Sequence, residues 1–296
     1  MRENISDLEF PSLELTDLAN FRDTMEEIAS QYSAWRHVED SYAKQEESFE
    51  LEGWCYCCAC PSQFLTDYLY AAEAGHLEKR VPNWRERLLC SRCKLNNRTR
   101  ACIHFLEQVS KVSSKSKIYI TEQSTSLYEA LKQRYPQLIG SEYIREPMAK
   151  GAIDKNTGFR NENVTCLSFD DASINYVLTF DVLEHVPDYK NALAEFFRVL
   201  ATGGMLVFTV PFALGHKNNI VRAEVSVDGE IKHLMDPEYH GDPINDEGCL
   251  CFYYFGWQLL DELRTLGFTD AKAHYYWSDA YAYLGEHQVI FSAVKE

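Results

Sequence analysis

The stretch Phe180–Phe212, FDVLEHVPDYKNALAEFFRVLATGGMLVFTVPF, decides the fold. Within it, Asp188–Leu200 places Leu193, Phe196, Phe197 and Leu200 at helical spacing, and the pair Gly203–Gly204 follows as a stop. Met205–Val210 is an uninterrupted apolar run, as expected of a strand covered on both faces. Asn175–Phe180 reads as the strand before it. A strand, a helix and a second buried strand in this order imply an α/β domain built on a mainly parallel sheet.

Working outward, Lys117–Ile120 reads as a strand, and Ser124–Arg134 as a helix in which Ser126 and Glu129 have capping-box spacing. Gln137–Glu142 is a second strand. Trp257–Leu266 is a late helix closed by Gly267, and Ala271–Tyr276 and Gln288–Ala293 complete the sheet. These segments predict one domain over 101–296. The pattern breaks at 211–255, an irregular insertion rich in histidine, glycine and proline, of the kind usually kept for function.

Ahead of it, residues 1–52 are acidic and expected to be helical. Leu18, Phe21, Met25, Ile28, Ala29 and Tyr32 recur at steps of three and four behind Thr16 as N-cap. That face is expected to pack on the main body or to join two copies in a homodimer. Residues 53–100 form a separate module with six of the ten cysteines, GWCYCCAC (Gly53–Cys60) and LLCSRC (Leu88–Cys93). Two CxxC knuckles suit tetrahedral zinc, and four thiolates leave no open position, so the metal is read as structural. Cys55/Cys58 and Cys57/Cys60 both have knuckle spacing; the preferred ligands are Cys55, Cys58, Cys90 and Cys93. The basic run Arg92–Arg100 either pairs with acids or holds an anionic group of a substrate. Cys249 and Cys251 lack knuckle spacing and read as strand or pocket thiols.

Of 296 residues, 29 are basic and 45 acidic, giving a net charge of −16. So acidic a chain is not expected to bind nucleic acid or an anionic membrane, since both need phosphates neutralised. The start, MRENISDLEFPSLELTDL, has no basic segment followed by an apolar one, and no apolar run reaches the roughly 20 residues that span a bilayer. The expected location is the cytoplasm, where thiols stay reduced or bind metal.

Phe180–Phe212 resembles the mid-domain of class I S-adenosylmethionine-dependent methyltransferases, in which a strand ends in an acid-containing LEHV turn, followed by RVL-x-x-GG and an apolar strand. The likeness covers residues 117–296. The cysteine pairs with WRERLLCSRCKLNNRTR also look like the metal-binding preface of some bacterial members, which often accompany polysaccharide or secondary-metabolite genes. The resemblance implies a Rossmann-like sheet of seven strands with helices on both faces, and the cofactor over the carboxyl ends of the first strands. It places Glu142, in GSEYI, on the ribose hydroxyls, and Asn163, in NENVTCLSF, at the adenine edge, where the family usually has Asp. Glu122 and Ser124 of the first loop, and Phe180 at its strand end, fall on the cofactor side. That loop, IYITEQSTS (Ile118–Ser126), departs from the family in having no glycine; its backbone N–H groups and helix start remain available.

His185, just beyond a strand's carboxyl end, is the first candidate general base, and His240 the second. Asp181, Glu184 and His185 also resemble the acid-x-x-Glu-His cluster of members that hold a divalent cation beside the substrate. In the insertion, His233, Tyr239, His240 and Asp242 are expected to cap an acceptor pocket. The expected activity is methyl transfer from S-adenosylmethionine to a small molecule, with O-methylation of a sugar or biosynthetic intermediate foremost. The alternative is a methyltransferase-like scaffold that has lost catalysis, as the glycine-free loop would allow. A nicotinamide dehydrogenase would need a G-x-G-x-x-G, which is absent.

Overall fold

The structure is a computed structural model that describes residues 9–44, 46–71, 80–144, 148–241 and 248–296. The chain divides into two compact units, one of Met1–Leu15, Ala19–Val112 and His274–Val289, the other of Thr16–Leu18, Ser113–Ala273 and Ile290–Glu296.

The first unit contains β1 (Ser12–Leu15), α1 (Leu18–Glu27, but for Leu18), α2 (Ala29–Tyr42), β2 (Ser48–Cys55), β3 (Cys60–Asp67), α3 (Trp84–Arg87), β4 (Leu89–Cys90) and α4 (Asn97–Gln108). The N-terminal segment is therefore not one helix: a strand precedes it, and Ile28 at φ −96° and ψ 13° separates α1 from α2. Thr16 donates its hydroxyl to Asp17 Oδ2 at 3.1 Å. The apolar stripe is half-covered: Leu18, Phe21, Met25, Ile28 and Tyr32 are partly buried while their neighbours Arg22, Asp23, Glu26 and Glu27 are exposed, and α1 buries no residue fully. In α2, Glu39 accepts from Gly285 N (2.6 Å) and Trp277 Nε1 (2.7 Å) and pairs with Arg36 (2.7 Å), and Trp35 stacks on Trp277 at 5.0 Å. In β2, alternate residues are buried as a half-covered strand requires, with Phe49 and Leu51 joining Phe64, Trp84 and Leu88 in a core.

The second unit holds β5 (Ile118–Ile120), α5 (Ser126–Arg134), β6 (Ile139–Gly140), β7 (Ile174–Phe180), α6 (Tyr189–Val199) and β8 (Leu200–Thr209). After the insertion come α7 (Gln258–Leu266), β15 (Phe268–Tyr276) and β16 (Val289–Lys295). The main sheet has seven strands in the order β1-β15-β16-β8-β7-β5-β6. β5 pairs parallel with β6 and β7, β7 parallel with β8, and β16 antiparallel with β8. The expected α/β class and the strand count therefore hold, with the sheet mixed.

Three local readings are corrected. Thr125, not Ser126, caps α5, accepting from Tyr128 N at 3.1 Å. α6 ends at Val199 because Leu200 is already extended and pairs with Ile174; the glycine pair lies inside β8, with Gly203 at φ +76°. The second strand is short, and beyond it Glu142 bridges Asn161 in parallel as an isolated pair.

The insertion is built of two-stranded ladders: β9 (Ile220–Val221) with β14 (Tyr253–Tyr254), β10 (Ala223–Val225) with β11 (Ile231–His233), and β12 (Tyr239–His240) with β13 (Cys249–Leu250). Among the described residues no helix is long and apolar enough to cross a membrane.

Gly140 ends β6 where space is tightest. A Cβ there would lie 2.4 Å from Tyr128 Cε2 and 2.7 Å from the Glu122 carbonyl oxygen. Gly140→Ala is expected to destabilise the protein by about 1–3 kcal/mol, read as a lowered midpoint in thermal unfolding.

Candidate functional site

The chain leaves β5 toward β6 on one side and returns to β7 on the other. In an open α/β sheet such a reversal opens a crevice at the carboxyl ends of the strands, the usual ligand site. Three segments end there: Thr121–Ser126 after β5, Glu142 after β6, and Asp181–His185 after β7.

Glu142 is 8% exposed and extended, its N–H bonded to Arg160 O at 2.8 Å. Its Oε1 accepts from Gln123 N and Ser124 N, both at 2.7 Å. This ties the glycine-free loop to the second strand. Among the described residues Oε2 makes no hydrogen bond, and the Ser124 hydroxyl is buried without a partner beside it. The donor set fits the ribose end of S-adenosylmethionine: one carboxylate oxygen and a hydroxyl remain for its hydroxyls. The loop side chains behave differently from expectation. Glu122 accepts from Thr125 Oγ1, and the Asn163 oxygen accepts from Thr165 N (3.0 Å) and Thr165 Oγ1 (2.8 Å). Asn163 thus has its amide nitrogen, not its oxygen, left for an adenine edge. Phe180 is buried at the end of β7.

On the other side of β7, Asp181 sits at φ +52° and is held by Thr209, through its N–H (2.9 Å) and through Oδ1 accepting from Oγ1 (2.8 Å). It is not in the acid-histidine cluster. That cluster is Glu184, His185 and His240, whose ligand atoms all lie within 4.8 Å of one another. The Glu184 side chain is fully buried and neither oxygen has a hydrogen-bond partner among the described residues. Burial pushes its carboxyl above the usual range, the imidazole of His240 opposing. His185 Nε2 and His240 Nδ1 each stand 3.7 Å from Glu184 Oε1.

The other ring nitrogens are engaged. His185 Nδ1 lies 2.8 Å from the Leu250 carbonyl oxygen, and His240 Nε2 3.1 Å from Glu238 Oε1. The insertion is pinned here by Phe252 N donating to Glu184 O at 2.7 Å. One carboxylate and two imidazoles can hold a divalent ion or take an acceptor's proton. His233 and Tyr239 are exposed on the insertion and outside this cluster; Asp242 lies outside the described residues. Glu238, Tyr254 and Leu250 were not legible as partners, because their convergence depends on ladder registers within an aperiodic segment.

The cysteine cluster belongs to the first unit. The β2–β3 hairpin carries the first knuckle in its turn, and β4, paired to β3 through Phe64–Cys90, leads into the second. Positive φ at Ala59 (50°) and Lys94 (62°) closes the two turns. Cys55, Cys58, Cys90 and Cys93 come together, with Cys55–Cys93 at 3.8 Å and Cys58–Cys90 at 3.9 Å. Zinc–sulfur bonds of about 2.3 Å in a tetrahedron set sulfurs about 3.8 Å apart, so the set fits zinc. Cys57 faces Arg100 O and Cys60 faces Ser62.

In the basic run, Arg98 pairs with Glu86 at 2.9 Å. Arg100 is fully buried, donating to the carbonyls of Tyr281 (2.7 Å) and Ala282 (3.1 Å) over the Phe64 ring. Both are structural arginines, so these two do not hold a substrate anion.

Residues 123–208 match the family described as a methyltransferase domain. That stretch of the chain, from the loop after β5 to the end of β8, thus matches a methyltransferase domain. Among solved structures the chain is similar to an S-adenosylmethionine-dependent methyltransferase from Mesorhizobium loti, at 14% identity over 63% of this chain and 94% of that one, TM-score 0.39. It is also similar to one from Methanosarcina mazei, at 16% identity, 63% and 95% coverage and TM-score 0.36. A third is phosphoethanolamine N-methyltransferase 2 of Haemonchus contortus, at 12% identity, 65% and 51% coverage and TM-score 0.37. No curated protein matches the sequence significantly.

The knuckle geometry separates the cysteines by mutation. Cys58→Ser or Cys90→Ser is expected to lose bound zinc and stability together, because structural metal is coupled to folding. Cys57→Ser and Cys60→Ser should retain it, as read by metal analysis of the purified variants.

Proposed function

We propose that the protein transfers a methyl group from S-adenosylmethionine to a small-molecule acceptor, with oxygen as the accepting atom. The observation that carries this reading is Glu142: a buried carboxylate at the end of the second strand, with one oxygen fixing the first loop and the other unbonded among the described residues. A sugar or biosynthetic intermediate suits the polar side chains of the insertion, His240 foremost.

When bound, S-adenosylmethionine supplies an electrophilic methyl group. This chain's own residues then have three tasks. Glu142 and the loop N–H groups orient the ribose end, and Asn163 meets the adenine edge. Asp181, held by Thr209, shapes the turn that carries Glu184 and His185 to the acceptor side. Positioning of the acceptor oxygen in line with the methyl carbon supplies much of the rate.

A second reading of the histidines is favoured by their geometry. Each has one nitrogen engaged, and the other turned to a buried carboxylate that has no hydrogen bond among the described residues. That arrangement supports a divalent cation held by Glu184, His185 and His240, which would bind the acceptor oxygen and favour its deprotonated form. Asp181 is not part of this set. The cysteine centre, with four thiolates, supports a structural zinc and no role in the reaction.

Titration calorimetry on zinc-loaded protein tests the cofactor half of the reading. Micromolar binding of S-adenosylmethionine or its demethylated product is expected, and Glu142→Ala should abolish it while leaving zinc content unchanged. No binding to folded, zinc-loaded wild type would overturn the enzyme reading in favour of a scaffold.

A further inference from the structure

Glu238 lies outside every motif, yet its carboxylate is the most heavily engaged group of the insertion. Oε1 accepts from Tyr254 Oη at 2.5 Å and from the His240 ring at 3.1 Å. Oε2 pairs with Arg222 Nη2 at 3.0 Å, and the Arg222 guanidinium in turn stacks on the Tyr254 ring at 4.9 Å. The three side chains come from two ladders: Arg222 follows β9 and Tyr254 ends its partner β14, while Glu238 precedes β12. Backbone bonds hold the frame rigid. Arg222 N donates to Phe252 O (2.7 Å), Cys251 N to Glu238 O (2.8 Å), and Leu234 N to Arg222 O (2.8 Å).

An ionised carboxylate can only accept. Paired with the Arg222 guanidinium and accepting from the Tyr254 hydroxyl, Glu238 is placed as an ionised acceptor. The nitrogen of His240 that faces it must therefore carry the proton, so that whenever the ring is neutral Nδ1 is the bare nitrogen. The same logic holds across the cluster, where the Leu250 carbonyl, also acceptor-only, claims the proton of His185 Nδ1 and leaves Nε2 bare. Both bare nitrogens then face Glu184 Oε1 at 3.7 Å, beyond hydrogen-bond reach.

We propose that Glu238 is a positioning residue that fixes His240 as the Nε2–H tautomer, so that Nδ1 points its lone pair at the space shared with Glu184 and His185. The inference rests on the reading of those three side chains as the acceptor-side cluster. Its direct test, however, needs neither cofactor nor acceptor.

The test is long-range proton–nitrogen NMR on zinc-loaded protein with nitrogen-15 histidine at pH 8, His240 being assigned by its loss in His240→Asn. Tautomers are distinguished by which ring nitrogen resonates as unprotonated. Wild type is expected to show Nδ1 unprotonated. Glu238→Gln, which keeps an acceptor oxygen of the same shape, should preserve that pattern; Glu238→Ala should abolish the preference. In parallel, manganese(II) added to the zinc-loaded proteins and followed by electron paramagnetic resonance should bind about 10–100-fold more weakly to Glu238→Ala than to wild type.

A wild-type spectrum with the proton on Nδ1, or on both nitrogens, would overturn the proposal, as would an unchanged tautomer in Glu238→Ala. A fixed tautomer that is lost in Glu238→Ala, in a protein that takes up no manganese, supports the positioning role and removes the cation. Absence of S-adenosylmethionine binding by calorimetry would sink the proposed activity and leave the tautomer result standing.

Discussion

The parallel pairing of β7 on both its edges is the constraint on which the second unit depends. With β5 on one side and β8 on the other, Tyr176–Leu178 of the central strand are paired along both edges, and Val177 to Phe180 are covered on both faces. Val177, Leu178 and Phe180 supply that apolar cover together with Leu193, Phe196 and Val199 of α6. Because the chain has already placed β6 beyond β5, the order reverses at the β5–β7 pair. Polar residues then follow the strands where no neighbour can fill the gap: Thr121, Glu142 and Asp181 all stand within two residues of a strand's carboxyl end.

From that edge, burial sets the chemistry. Removing a carboxylate such as Glu184 from water without hydrogen bonds disfavours its charge unless a cation or proton accompanies it. The insertion answers by bringing imidazoles and their acceptors to it, and Phe252 locks the frame to the Glu184 backbone. In the first unit strand pairing does the analogous work. The register of β3 with β2 and β4 carries two tight turns into one place, so that four sulfurs lie within 4.8 Å of one another.

How far the sequence could be read follows from where its periodicity persists. The α/β class, the helix Tyr189–Val199 and the four clustered cysteines were legible because apolar period and CxxC spacing are local signals. Glu142 was legible only through its register after β6. Three features were not. The break at Ile28 leaves the apolar stripe intact in sequence, and α2 is held by Glu39 and by the stacking of Trp35 on Trp277. The glycine pair reads as a helix stop, while the extended backbone of Leu200 ends the helix earlier. The gathering of Glu184, His185, His240 and Glu238 spans from position 184 to position 240 and depends on ladder registers within a segment that has no period at all.

The bonds from Gln123 and Ser124 to Glu142 carry a consequence for the speed and selectivity of ligand capture. A glycine-rich loop samples many backbone states and must be ordered by its ligand, with a corresponding entropic loss on binding. Here serine and threonine narrow the backbone choices, and a carboxylate already fastens two N–H groups in place. The loop is set before any ligand arrives, so recognition tends toward lock-and-key. A nucleoside of the right shape loses little to ordering, while a bulkier analogue meets a loop that resists opening. The absence of glycine thus gives up adaptability and gains rigidity.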